Sequence, residues 1–347
     1  MKVALLGYEQ SGKKTFFSLL TGKSLESLAN RKEGESVEGI APIRDPRVDA
    51  LTALYQPERM KYAENNIVLC PNVLEGGKRD WLEAARKCDL LCMVVRAFTS
   101  DQVYHPKGVV DAPRDRTALE SELLLADLEL IEKRLDRLAR EKKSGQTNQQ
   151  ALEEKVLTRL KETIETEMRV LHIRLDPQEL EPIQSLNLLM LKPVVWAYNV
   201  DEGALASGGA GISEEAFRVS CLIEREIMAL DTQEERIAYL KDLGVSVSGL
   251  DRLNQATYDA SGLMSFYTSG KDEVRAWTIR KGSQAPTAGG KVHSDIERGF
   301  IRVEVMKCED LLAAGSEAAL KAQGKIYVKG RDYVIEDGDI CHFRFNV

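Results

Sequence analysis

Apolar and polar positions fall into three textures along this chain. Over the first 118 residues, short, mainly apolar strand candidates at 3–6, 66–69 and 90–95 alternate with segments of helical period near 15–20 and 81–87. Apolar runs of four to six residues bounded by turn-formers read as buried strands, and strands alternating with helices predict an open, mostly parallel α/β sheet. From about residue 119 the spacing changes. Leu124, Leu128, Ile131, Leu135 and Leu138 step by four, three, four and three, as in a seam between two helices. A turn-like stretch at 144–148 breaks this pattern, which resumes at Leu157, Leu160, Ile164, Met168 and Leu171. Two antiparallel helices packed along one stripe are expected. A buried strand returns at 193–198, so the hairpin reads as an insertion in the α/β domain. Helical segments are expected at 214–243 and 250–261. From about residue 276 the pattern becomes β-rich, with strands near 277–279, 300–305, 326–328 and 341–345.

Composition narrows the class. At roughly 150 residues per domain, 347 residues suggest two or three domains, and 43% hydrophobic content is enough for a substantial core. The longest apolar run, 90–95, has six residues. A membrane-spanning helix needs about 20. Met1-Lys2 leads straight into a strand with no leader pattern, so a cytoplasmic protein with no membrane partner is expected. A net charge of -7 argues against a general nucleic-acid binder, and DNA is not an expected partner. Cysteines 70, 88, 92, 221, 308 and 341 form no C-x-x-C pair and read as reduced structural thiols.

The strongest chemical signal is Gly7-Tyr8-Glu9-Gln10-Ser11-Gly12-Lys13, which fits G-x-x-x-x-G-K between a strand and a helix. Such a loop aims backbone N–H groups and a helix N-terminus at phosphates, and Lys13 would reach them as a point charge. The next position departs from the pattern. Lys14 stands where a Ser or Thr hydroxyl would ligate Mg²⁺, and Thr15 is turned about 100° away.

The stretches "KPVVWAYNVDE", "KDEVRAWTIRKGSQAPTAGGKVHSDIERGFIRVEV" and "GRDYVIEDGDICHFRFNV" resemble the YchF/Obg-like family of P-loop NTPases. "APIRDPRVDAL" and "SELLLADLELIEKRLDRL" do so as well. The resemblance implies a P-loop G domain at 1–118 and 188–277. It also implies an inserted antiparallel coiled-coil hairpin at 119–187 and a TGS-like β-grasp module at 278–347. It places Gly7, Gln10, Ser11, Gly12, Lys13, Lys14 and Thr15 at the phosphates. Asn199, Val200, Glu202, Ser220 and Cys221 fall on the base side. There, Asn199-Val200-Asp201-Glu202 replaces the N-x-x-D of guanine readers. A carboxylate one methylene longer weakens the guanine fork, and the family's N-x-x-E variant goes with ATP acceptance, so the resemblance favours ATP over GTP, with either nucleotide as the expected cofactor.

The family's D-x-A-G-L is replaced by Cys70-Pro71-Asn72-Val73-Leu74. A thiol is a poor ligand for a hard cation, and a β-branched residue opposes close backbone approach. With Lys14, both protein supports for Mg²⁺ are missing, so Mg²⁺ binding is doubtful and hydrolysis is expected to be weak or absent. Glu64 and Glu75 read as loop surface. Asp45 and Arg47 lie in the switch-like stretch, where a local salt bridge and a nucleotide contact are equally open. None of His105, His172, His293 and His342 shows a partner at fixed spacing, so no catalytic residue is assigned.

A basic run including Arg137, Arg140, Lys142 and Lys143 ends the first hairpin helix and reads either as a solvated face or as a contact for the ribosome or another RNA–protein complex. Residues 278–347 carry 11 basic and 10 acidic side chains, which gives no RNA preference by charge. Three readings follow: a nucleotide-gated regulatory factor, an active ATPase or GTPase with a compensated metal site, and an interaction scaffold that binds no nucleotide.

Overall fold

The computed structural model describes residues 1–30, 32, 34–167, 175–207 and 216–346. Met168, Leu171, His172 and Glu214 lie outside these. The strands, in chain order, are β1 Lys2–Gly7, β2 Val37–Ile43, β3 Arg59–Lys61, β4 Ala63–Leu69, β5 Leu90–Ala97 and β6 Val194–Val200. They continue with β7 Phe217–Val219, β8 Leu263–Thr268, β9 Glu273–Arg280, β10 Phe300–Lys307, β11 Tyr327–Lys329 and β12 Asp339–Phe345. Two compact units result: residues 1–39 with 66–253, and residues 40–65 with 254–347.

The first unit is built on a sheet of order β2-β4-β1-β5-β6-β7, with β4, β1, β5, β6 and β7 pairing in parallel. Strands β1 and β5 are buried almost throughout, as expected where helices cover both faces of a parallel sheet. The mostly parallel α/β sheet is therefore present. Strand β7 occupies part of the span expected to be helical, which is otherwise taken by helices Cys221–Ala229 and Gln233–Asp242. Three residues are too few to show a period of two.

The hairpin consists of helices Ala112–Glu141 and Asn148–Glu167. From Glu132 to Lys142 on the first arm, the ion-pair partner steps back from Lys161 to Glu154 on the second, so the two run antiparallel. Leu124, Ile131, Leu138, Leu157, Leu160 and Ile164 form the buried seam. The first helix starts seven residues before position 119. Asp111 caps it by accepting from Arg114 N at 3.0 Å, and Pro113 sits in its first turn. Its early apolar residues, Leu119 and Leu123, pack into the sheet core, and only later ones join the seam.

At the root of the hairpin, Asp127 accepts from Met190 N at 2.8 Å and pairs with Arg86 Nη2 at 3.2 Å. Arg86 also donates to the carbonyls of Ala126 and Leu186, and Lys192 donates to those of Arg86 and Cys88. Burial pushes Asp127 up to about 6, and the same burial lowers Arg86 and Lys192. A carboxyl whose folded value lies above its unfolded 3.8 holds its proton more tightly in the folded chain, so its contribution falls as pH rises from about 4 to about 6. Asp127→Asn should flatten that part of the stability–pH curve in denaturant titrations. An unchanged slope would count against the assignment.

The second unit has a sheet of order β11-β10-β12-β8-β9-β3. The expected division at 277/278 falls inside β9. Strand β8 is a mostly apolar run with no alternation, and β3 is only Arg-Met-Lys, pairing in parallel with β9, so neither announces itself in the pattern. Asp45 and Arg47 belong to this unit. Asp45 caps helix Pro46–Tyr55 and binds Arg47 Nη2 at 3.0 Å, and Arg47 Nη1 reaches Asp337 at 2.6 Å. Tyr267 donates to Asp45 at 2.5 Å. The local salt bridge is the arrangement adopted.

Candidate functional site

Strand β1 ends at Gly7 and helix Lys13–Thr21 begins six residues later, so residues 8–12 form a tight loop at the end of the sheet. Two residues there lie at positive φ, Gln10 at 59° and Gly12 at 91°. Position 12 demands glycine twice over. Its φ is left-handed, and a Cβ there would press into Asn199 Nδ2 and lie 3.7 Å from Cys221 Sγ. Asn199, at the end of β6, fastens two loops together. Its Nδ2 donates to Ser11 O at 3.1 Å, and its Oδ1 accepts from Cys221 N at 3.1 Å. The glycine loop and Cys221 are thus held to one side chain.

Lys13 is 2% exposed. Its Nζ donates to Cys70 O at 2.8 Å, Pro71 O at 2.9 Å and Gly7 O at 3.4 Å. Ser11 Oγ and Tyr8 OH are buried without a hydrogen-bond partner. Burial, and then the charges of Glu75 and Asp115, raise the Tyr8 phenol far above its ordinary value. Lys14 is exposed and Thr15 half-buried. A helix N-terminus, a buried lysine and an unpartnered hydroxyl suit an anionic phosphate.

Protein-held Mg²⁺ fits poorly. Cys70 is fully buried and its thiol is turned to Val68 O at 3.6 Å. Val73 is buried, and its N–H donates to Gly7 O at 3.1 Å. Lys14 brings an ammonium where a hydroxyl oxygen is wanted. The donor set therefore offers a hard cation no oxygen from these three side chains. Among the described residues, no cluster of three or more His, Cys, Asp or Glu could hold a metal.

On the base side the residues part company. Val200 is 2% exposed and packs in the sheet core, so its side chain is not at a base surface, contrary to its place among the expected contacts. Asp201 accepts from Thr99 N at 3.0 Å and Thr99 Oγ1 at 3.1 Å, while Glu202 is exposed. Cys221 is buried, and burial raises its thiol well above the ordinary range.

A family model described as YchF-GTPase_C, a protein of unknown function (DUF933), matches residues 263–346. Over its whole length the chain is 36% identical to the ribosome-binding ATPase YchF of Bacillus subtilis, covering 100% of both. The chain belongs to the YchF family. Obg-like ATPase 1 of Caenorhabditis elegans is 33% identical over 100% of this chain and 92% of its own. The solved YchF GTPase of Schizosaccharomyces pombe superposes with a TM-score of 0.79 at 30% identity, covering 99% of this chain and 97% of that one.

In this YchF-family chain, two features beside the loop are not apparent from residue spacing. His105 does have a carboxylate partner: its Nε2 lies 2.9 Å from Asp115 Oδ2, with both side chains buried. Because Lys107 N donates to His105 Nδ1 at 3.1 Å, the ring proton of a neutral His105 sits on Nε2 and points at Asp115. Lys107 Nζ stands 5.3 Å above the Tyr8 ring and pairs with Glu75 at 2.6 Å. Glu75 is thus tied into the loop network, whereas Glu64 pairs with Lys61, three residues away, at 3.2 Å. The second feature is Glu122 on the first hairpin helix. It accepts from Gly76 N at 2.9 Å and Arg79 Nε at 3.3 Å. His293 is exposed, and His342 meets Ser269 O at 3.3 Å.

Proposed function

We propose that this chain is a cytoplasmic nucleotide-gated regulatory factor that binds a nucleoside triphosphate at Gly7, Gln10, Ser11, Gly12, Lys13 and Thr15, takes ATP in preference to GTP, and hydrolyses it weakly or not at all. The observation that carries this reading is the Asn199 bridge between Ser11 and Cys221, which keeps phosphate and base sides in one frame while Lys14, Cys70 and Val73 offer Mg²⁺ no side-chain oxygen. The preference for ATP draws support from the base side. Asp201 is committed to Thr99 and Glu202 stands in solvent, so the carboxylate fork that guanine requires is not preformed.

The output is a conformation read by the ribosome, the partner that the name of the Bacillus subtilis ribosome-binding ATPase carries. The helical hairpin serves as the family's coiled-coil arm, and the C-terminal β-rich portion serves as its TGS module. Within the arm, Arg137 pairs with Glu141 and Lys142 with Glu154, which moderates those two charges. Arg140 and Lys143 are exposed, with no ion pair among the described residues, and they form the contact. Arg140→Glu with Lys143→Glu should cut ribosome co-sedimentation at least about tenfold at low salt, since phosphate contacts dominate such binding. Arg137→Glu should do less. Undiminished co-sedimentation of the double variant would remove the hairpin tip from this account.

A further inference from the structure

Residues 70–79 run from the end of β4 to the short helix Leu82–Arg86 and touch the loop at one end and the hairpin at the other. At the loop end, Cys70 O and Pro71 O take two hydrogen bonds from Lys13, and Val73 N donates to Gly7 O. An ammonium has three donors, and the third meets Gly7 O at 3.4 Å. A phosphate oxygen that reaches Lys13 at full strength therefore replaces at least one of these carbonyls.

At the far end, the segment is pinned to helix Ala112–Glu141 by a carboxylate that is itself buried. Glu122 is 3% exposed and binds Gly76 N and Arg79 Nε, and Arg79 Nη1 adds Glu129 at 2.6 Å. Between the two ends, Glu75 is held by Lys107. Val73 is packed in the core, so displacement at Cys70–Pro71 meets a rigid lever rather than slack chain.

We infer that residues 70–79 are a strap that occupies Lys13 and transmits the state of that lysine to the hairpin through Glu122. The regulatory half of this inference rests on the triphosphate reading of the loop. Strap and phosphate compete for one ammonium, so weakening the strap's outer anchor raises nucleotide affinity. By linkage, nucleotide loosens Glu122 from Gly76. Glu122 is a positioning residue: it touches no phosphate and acts through the strap.

Amide exchange on the full chain tests the strap without any nucleotide. Lys13→Met should speed exchange at residues 74–77 at least about fivefold, the low end of ordinary coupling. Glu122→Gln should likewise speed exchange at Val73. If Lys13→Met lowers overall stability, Glu122→Gln and Arg79→Lys carry the test, since both keep the fold's volume. Exchange at residues 74–77 that is unmoved by Lys13→Met, or at Val73 unmoved by Glu122→Gln, overturns the inference.

The second arm is an equilibrium titration with ATP and GTP. Glu122→Gln should bind at least about fivefold tighter than the unaltered chain, a gain that a merely structural carboxylate would not produce. Equal or weaker binding overturns the competition. Coupled exchange with no binding of either nucleotide by any variant would instead overturn the triphosphate reading, while the strap's hold on Lys13 would stand.

Discussion

Replacing Gly12 by alanine is expected to abolish measurable triphosphate binding and to lower the thermal midpoint by about 6–12 °C. The backbone at residue 12 has φ 91°, and a left-handed conformation costs an L-residue roughly 1–2 kcal/mol. The added methyl also drives into Asn199 Nδ2, the donor that holds Ser11 O. If Asn199 retreats, Ser11 O and Cys221 N lose their partner, and each lost bond in a buried site costs on the order of 1 kcal/mol. The sum is about 3 kcal/mol, and a unit of this size shifts by about 2–4 °C per kcal/mol. Binding suffers more than stability because the phosphate loop and the base side share that one amide. Calorimetric unfolding and nucleotide titration of the same preparation check both halves. An alanine variant that keeps its midpoint and its affinity would show that the Asn199 bridge does not organise the site.

The second large effect is a gain. Lys14→Thr combined with Cys70→Asp should raise Mg²⁺-dependent phosphate release at least about tenfold, a change worth ~1.4 kcal/mol in the barrier. Lys14 is exposed and can change at little cost to the fold. Cys70 is fully buried, so an aspartate there carries a desolvation cost, offset in part by the Lys13 ammonium that already bonds the Cys70 carbonyl. The gain comes from oxygen donors offered to a hard cation in place of an ammonium and a thiol. Phosphate release with and without Mg²⁺ measures it, with Lys13→Ala in the same background as the control. A double variant no faster than the parent would mean that hydrolysis in this chain is limited by something other than the metal's protein ligands.

Much of the fold is legible where side-chain period is long or where a segment is buried on both faces. Strands β1, β4 and β5, the helix that opens at Lys13, and the hairpin seam from Leu124 onward all follow from pattern alone. The elements that escape are short or carry the wrong polarity for their role. Strand β3, Arg-Met-Lys, joins a sheet as an edge, and an edge strand needs no apolar face. The start of the hairpin helix is written in Asp111 and Pro113, but the change of texture at residue 119 marks where the helix leaves the sheet core, not where it begins.

At the site, the G-x-x-x-x-G-K spacing marks the loop, whose backbone requires glycine at position 12, whereas Asn199 is marked only by the family resemblance. It could not place Val200, whose side chain faces the core by strand alternation rather than the base. The His105–Asp115 pair spans ten residues from an irregular loop to a helix's first turn, a separation with no period to betray it. Glu122 looks like any polar position on an amphipathic helix. Only the fold shows that it is buried against residues 76 and 79.

This chain is proposed to hold a triphosphate with side chains that do not anchor magnesium. Isothermal titration of the full chain with ATP and with GTP, each in Mg²⁺ and in a chelator, tests it most directly. Saturable binding is expected, with ATP tighter than GTP and affinities within about threefold with and without the metal, a difference under ~1 kcal/mol. Binding that disappears in chelator, or no binding of either nucleotide at millimolar concentration, would contradict it.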